Sequence, residues 1–97
     1  MEIETFVEGA SATVAPRGSL NFLTSRELAQ VVSEVADDVD ELVFDFRDVD
    51  FVSTAGLRVV HLAFKQLGGR GGTVRIANAN ELVRETLEDT AMQELLG

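Results

Sequence analysis

The sequence predicts a small α/β domain: a mixed β-sheet with helices mainly on one face, in the order β-β-α-β-α-β-α-α. Three observations lead there. Short apolar runs (Ala12–Ala15, Leu42–Phe46, Thr73–Ala77) alternate with stretches whose apolar residues recur every three or four positions. Strands alternating with crossover helices produce that pattern. The strand around Ile3 and Phe6 and the run Ala12–Ala15 are separated by a short turn at Gly9-Ala10-Ser11. That is too short for a crossover, so this pair is antiparallel and the later pairs are parallel with right-handed connections. Finally, 97 residues that are 45% hydrophobic and 26% charged suffice for one core and no more.

Each element has a local reason. Ile3 and Phe6, then Ala12-Thr13-Val14-Ala15, read as two strands around a glycine turn. Pro16-Arg17-Gly18 ends the second, because proline cannot donate to a ladder. Thr24-Ser25-Arg26-Glu27 fits a capping box, with Thr24 as N-cap and Glu27 reaching back. Leu28, Val31, Val32 and Val35 follow at i, i+3, i+4 and i+7, one apolar helix face. Acids at a helix C-terminus oppose the macrodipole, so Asp37-Asp38-Val39-Asp40 reads as loop. Leu42-Val43-Phe44-Asp45-Phe46, apolar on both faces except at Asp45, reads as a central strand. Val49, Phe51 and Val52 are expected to stay in the core. A second helix runs from about Ala55 to Leu67 and stops at Gly68-Gly69. Thr73–Ala77 is the last strand. Asn78-Ala79-Asn80 then offers an N-cap to a helix containing Leu82, Val83, Thr86 and Leu87, and a helical tail is expected over Ala91–Leu96.

Composition narrows the function. Without cysteine there are no disulfides and no thiolate zinc site, and there is one histidine. No apolar run approaches the roughly 18 residues of a membrane span. The start, Met1-Glu2-Ile3-Glu4, lacks a signal peptide's basic residues, so a cytoplasmic location is expected. A net charge of −9 argues against nucleic acid and against insertion at an anionic membrane. It fits either plain solubility or a basic protein partner. The charge is unevenly spread. Ser33 to Asp50 holds eight acids and one base, whereas Phe51 to Asn80 holds four bases (Arg58, Lys65, Arg70, Arg75) and no acid.

The most informative stretch is Asp45-Phe46-Arg47-Asp48-Val49-Asp50-Phe51-Val52-Ser53-Thr54-Ala55-Gly56-Leu57. A strand ends, a tight turn follows, and a helix begins at Thr54 or Ala55. Thr54 has an N-cap type of side chain and could be a plain cap, worth about 1 kcal/mol. A hydroxyl there also lies beside the free N–H groups and the positive dipole end of the helix, which favour an added phosphate.

This segment resembles the signature of STAS domains, the anti-sigma factor antagonist family: Asp-Leu, a short turn, Val-x-Phe-Ile, then Asp-Ser-Ser-Gly-Leu. Asp45, Val49, Phe51, Gly56 and Leu57 match, and Val52 matches conservatively. Gly18-Ser19-Leu20-Asn21 is similar to the family's Gly-Glu-Leu-Asp turn. Arg75-Ile76-Ala77-Asn78, Val83 to Leu87 and the Leu-Leu end are similar to its later elements. Three departures stand out. Ser53 replaces the Asp before the acceptor, Ser19 and Asn21 replace the Glu and Asp of the earlier turn, and the usual last strand and helix are missing at Gly97. A single STAS-like domain over residues 1–97 is therefore expected, shortened at its end.

The resemblance implies a phosphorylation-switched binding module. Thr54 would be the acceptor, with Ser53 as the second choice. Its partners would be an anti-sigma factor that is also a serine kinase, bound while Thr54 is unphosphorylated, and a serine/threonine phosphatase that restores binding. It implies no cofactor. A second role keeps the fold: cytoplasmic STAS subunits of phospholipid-transporting ABC systems share the size and the Thr-x-Gly-Leu pattern, and contact the ATPase subunit near that Thr.

On a helical projection, Leu57, Val60, Ala63, Phe64 and Leu67 share one side of the second helix with Gly56. Arg58, Leu62, Lys65 and Gln66 share the other, below Thr54 and Ala55. The expected partner surface is Ser53, Thr54, Ala55, Arg58, Leu62 and Lys65, joined by Asn21. His61 is expected to pack at the edge of the core face. Gly68-Gly69-Arg70-Gly71-Gly72 follows a helix and precedes a strand, the reverse of a P-loop, and reads as a flexible connection. The acids from Asp37 to Glu41 lack the spaced ligands of an EF-hand loop. No nucleophile stands with a base and no carboxylates are convincingly paired, so an enzyme is not expected.

Overall fold

The computed structural model describes residues 1–89. The chain runs β1 (Ile3–Glu8), β2 (Ser11–Pro16), β3 (Gly18–Leu20), α1 (Phe22–Val35), a 3-10 turn (Ala36–Asp38), β4 (Glu41–Asp45), β5 (Val49–Val52), α2 (Thr54–Gly68), β6 (Thr73–Ala77) and α3 (Glu81–Asp89). β1, β2, β4 and β6 form one sheet in that spatial order. β1 is antiparallel to β2, and the other two pairings are parallel. The mixed α/β sheet expected from the sequence is therefore present. Strand alternation decides which side the helices cover. Ala12, Val14, Leu42, Phe44, Val74 and Ile76 point into the core, whereas the row Phe6, Thr13, Val43 and Arg75 crosses the opposite face, helix-free among the described residues. The Phe44 and Phe46 rings meet at 5.8 Å, tilted by 45°, at the centre of that core.

One pairing has no counterpart among the expected elements. β3 and β5 form a separate two-stranded parallel ladder, joining Ser19 to Phe51 and Leu20 to Val52. Three residues give no alternation to read, so β3 is invisible in the sequence. This ladder also corrects the expectation for Phe51. Val49 and Val52 are buried as expected, but Phe51 is 46% exposed.

α1 starts earlier than expected, while α2 starts at Thr54, one of the two expected positions; each begins as soon as the ladder ends. α1 is capped by Asn21, not Thr24. Asn21 Oδ1 accepts the Thr24 N–H at 2.9 Å, and Thr24 Oγ1 accepts the Asn21 N–H at 2.8 Å. The capping box exists, shifted by one turn, and Glu27 meets the Met1 ammonium at 2.9 Å instead of reaching back. The core side of α2 is also rotated from the expected stripe. Gly56, Leu57, Val60, Ala63 and Leu67 are buried as expected, but so is Val59, while Phe64 is exposed. A helix packed on a sheet alone buries one stripe; α2 also packs against α1, and that neighbour covers Val59. His61 is exposed, not at the edge of the core.

The end of the molecule where α1 stops is tightly tied. The Arg70 guanidinium donates to the Ala36 carbonyl and, at 2.8 Å, to the Val39 carbonyl. A cation on those carbonyls relieves the unfavourable placing of Asp37 and Asp38 at a helix C-terminus. The Gly72 N–H donates to Leu67 O at 2.7 Å. A Cβ on Gly72 would lie 2.7 Å from Asp40 O, so only glycine lets the chain pass there. The glycine-rich connection is pinned, contrary to its reading as flexible, and Asp37-Asp38 form part of a 3-10 turn, not a plain loop. The tail expected over Ala91–Leu96 lies outside the described residues. Among the described residues, no helix is long and apolar enough to cross a membrane.

Candidate functional site

The site follows from the β3–β5 ladder. Leu20 and Val52 are register partners, and the Ser53 N–H donates to Leu20 O at 2.8 Å. One residue past that pair, Asn21 caps α1 and Ser53 caps α2. Because the ladder is parallel, both helices leave it in the same direction. Their N-termini, each carrying about half a positive charge, converge on one corner. Neither first turn contains an acid, so nothing on the helices neutralises that field.

Gly56 makes the close packing at this corner achievable. A Cβ there would sit 2.9 Å from Val52 Cγ1, 3.0 Å from Leu20 Cβ and 3.4 Å from Ser25 Oγ. The first turn of α2 can rest on the ladder and on α1 only because position 56 has no side chain.

The two candidate acceptors differ. Ser53 is half-buried, and its Oγ accepts the Gly56 N–H at 3.4 Å, a long capping bond. Thr54 is the first residue of α2, is exposed, and has no hydrogen bond to its hydroxyl among the described residues. The cap expected at Thr54 is therefore made by Ser53. A capping oxygen stays in place to satisfy a helix donor, whereas the exposed Thr54 hydroxyl makes no such bond among the described residues.

The other matched residues hold the scaffold. Asp45 Oδ1 accepts from the Arg47 N–H and from Asn78 Nδ2, both at 3.1 Å. That clamps the β4–β5 turn to the end of β6, where Asn78 takes a left-handed φ of 60°. Asn80 caps α3, with Oδ1 accepting the Val83 N–H at 2.8 Å, and its amide reaches Val49 O at 3.0 Å. Ser19, in the earlier turn, donates to Asp50 Oδ1 at 2.7 Å.

Of the expected partner surface, Ala55, Arg58 and Leu62 line one side of a groove of about 220 Å³ between α1 and α2. Asn21, Ser53, Thr54 and Lys65 do not line it: Asn21 and Thr54 each directly precede a lining residue (Phe22 and Ala55) in the chain, and Lys65 is exposed further along α2. The opposite wall is Phe22, Arg26 and Ala29 of α1, which the sequence reading missed. Phe22 and Leu23 are 68% and 69% exposed, more than Leu62 at 57%. A signal existed: with Asn21 as cap, Phe22, Arg26, Ala29 and Ser33 fall at i, i+4, i+7 and i+11, a single stripe of α1. Among the described residues, no group of three or more His, Asp or Glu side chains could hold a metal ion.

A family model described as STAS domain matches residues 3–96. No curated protein compared with the chain matches it in sequence. Among solved structures, the anti-sigma factor antagonist SpoIIAA in its unphosphorylated form superposes with a TM-score of 0.89 at 14% identity, covering 99% of this chain and 86% of that one. The Bacillus cell fate determinant SpoIIAA in its phosphorylated form gives 0.81 at 13% identity, over 99% and 89%. An anti-sigma factor antagonist from Mycobacterium paratuberculosis gives 0.82 at 22% identity, over 98% and 81%. At these identities the likeness is one of fold.

Proposed function

The chain belongs to the STAS-domain family, and from that premise we propose that it is an anti-sigma factor antagonist switched by phosphorylation of Thr54. The observation that carries the reading is the free, exposed Thr54 hydroxyl at a corner where two helix N-termini converge without an acid in either first turn. The likeness to antagonist structures, one of them in a phosphorylated form, supports it.

In the unphosphorylated state the corner and the adjoining faces of α1 and α2 bind the anti-sigma factor, a serine/threonine kinase. That kinase transfers the γ-phosphoryl group of ATP to Thr54 Oγ1. The new O–P bond replaces the bond to ADP, and the hydroxyl proton goes to a base of the kinase. The phosphate adds about −1.5 to −2 charges. The helix ends tolerate it, so the domain stays folded. The covered interface does not tolerate it, so the complex separates. A phosphatase directs water onto the phosphorus, releases inorganic phosphate and restores the hydroxyl. This chain supplies the acceptor and the surface, and needs no cofactor. A cytoplasmic setting, with both enzymes and ATP, belongs to the same proposal.

Isolation of the chain with its bound partner, followed by mass spectrometry, tests the reading. The expected result is a kinase of the anti-sigma type as partner of the unphosphorylated chain, and phosphate on Thr54 of the chain recovered without it, absent from Thr54→Ala. Recovery of a transporter ATPase subunit with Thr54 unmodified would replace this reading with the transport role.

A further inference from the structure

We propose that the groove between α1 and α2 receives a helix of the partner whose apolar anchors are flanked by carboxylates, and that Arg26 and Arg58 are the rim cations that select it. This deepens the reading above and rests on it for the location of the partner surface.

The groove is built for an extended occupant. α1 and α2 leave a parallel ladder, so their residues face each other in constant register. The wall continues from Phe22 opposite Ala55 to Ser33 opposite Gln66, the lower half adding about 180 Å³. At 1.5 Å per residue that is about 16 Å, or three helical turns. Its buried floor is Val32, Val59 and Ala63, with Ser25 toward the head, and Phe22 and Leu62 stand exposed on its two walls. An amphipathic helix lays its apolar face into such a groove.

Charge decides which helix. The protein carries −9 overall and by that measure should prefer a basic partner. The groove is an exception. No acidic side chain lines it, and its two charged lining residues are Arg26 and Arg58. Among the described residues neither arginine has a carboxylate partner, whereas Arg17 is surrounded by Glu2, Glu4 and Asp48. Surface charges beyond about 8 Å are largely screened at physiological salt, so the rim cations govern what docks between them.

The same arrangement gives the switch its sign. Thr54 and Arg58 are four residues apart on α2, hence neighbours on its surface. A phosphate on Thr54 would engage Arg58 from within the chain and set a second negative group where the partner's carboxylates belong. Phosphorylation thereby removes the cation and adds the repulsion at one point.

The test uses the full chain and two stapled helical peptides of three to five turns, identical in their leucine stripe and flanked by Glu in one and Lys in the other. Affinity is read by fluorescence anisotropy and location by amide NMR shifts. The Glu peptide is expected to shift Ala29 and Val59 and to bind about tenfold more tightly than the Lys peptide, against the net charge. Arg26→Gln with Arg58→Gln should remove that preference. Thr54→Glu should weaken the Glu peptide in the parent protein and much less in Arg58→Gln, a coupling that independent effects would not give. Equal or tighter binding of the Lys peptide, or shifts confined to the helix-free face of the sheet, would overturn the proposal. Phosphate on Thr54 without peptide selectivity overturns the groove and leaves the switch standing. Selectivity without phosphate on Thr54 in cells supports the groove and removes the switch.

Discussion

The two ends of the helical layer treat their polar groups in opposite ways. Where α1 stops, Arg70 bonds two carbonyls, Gly72 bonds Leu67 O, and Gln66 Nε2 reaches Asp37 Oδ1 at 2.8 Å. Where α1 and α2 begin, the caps are satisfied but the residues beside them are not engaged. The Thr54 hydroxyl, the Arg26 and Arg58 guanidinium groups and the Phe22 and Leu62 side chains face solvent. The first end uses its residues to close the fold. The second leaves them available for another molecule. Substitutions at the closed end should therefore act on stability, and those at the open end on binding.

The largest stability effect is expected where backbone blocks a side chain. Gly72→Ala places a Cβ against the Asp40 carbonyl and should lower stability by about 2–3 kcal/mol in urea unfolding, the scale of overpacking. Gly56→Ala meets Val52 Cγ1 and Leu20 Cβ rather than a backbone oxygen at 2.7 Å, so a somewhat smaller loss of about 1–2 kcal/mol is expected. An effect at Gly56 larger than at Gly72 would break the comparison, because the open corner would then be the more rigid of the two.

Arg70→Ala comes next. Two carbonyls of the buried residues Ala36 and Val39 lose a charged donor, so a loss of about 1–2 kcal/mol should appear as a lower urea midpoint. Partner affinity of the folded protein should not change. Capping losses sharpen the picture within the corner itself. Asn21→Ala breaks a reciprocal box and should cost about 1 kcal/mol, while Ser53→Ala gives up only the long bond to Gly56 and should cost about half that. The smallest stability effect belongs to Leu62→Asp and Thr54→Ala, within about 0.5 kcal/mol in the same unfolding assay. Leu62→Asp should nevertheless abolish partner binding in a pull-down. Retained binding in a folded Leu62→Asp protein would take the groove out of the interface.

Much of the fold is legible in local patterns of residues. Alternation over Ala12–Ala15, the apolar stripe from Leu28 and the glycines after Leu67 each correspond to the expected element. The signature turn is legible too, because Gly56 and Leu57 at fixed spacing from Asp45 point to a strand–turn–helix corner with an exposed hydroxyl. The misses come from contacts between parts of the chain distant in sequence. β3 is too short to carry a period, so its ladder with β5 cannot be read, and with it goes the early start of α1. Assigning the caps to Thr24 and Thr54 leaves Phe22 outside α1 and hides one wall of the groove. Val59 and Phe64 exchange roles because a projection of α2 alone does not know that α1 lies on its flank.

The sequence by itself determined the order of the elements apart from β3 and β5, the antiparallel start and parallel remainder of the main sheet, and the candidate hydroxyl, because these rest on period, turn length and residue type over a few neighbouring positions. Only the tertiary structure decided that two helix N-termini meet, that Ser53 caps while Thr54 stays free, and that Arg26 faces the same groove as Arg58. Those outcomes depend on Leu20 pairing with Val52 across a long stretch of chain, and no local pattern encodes the register of a strand with so few residues to pair.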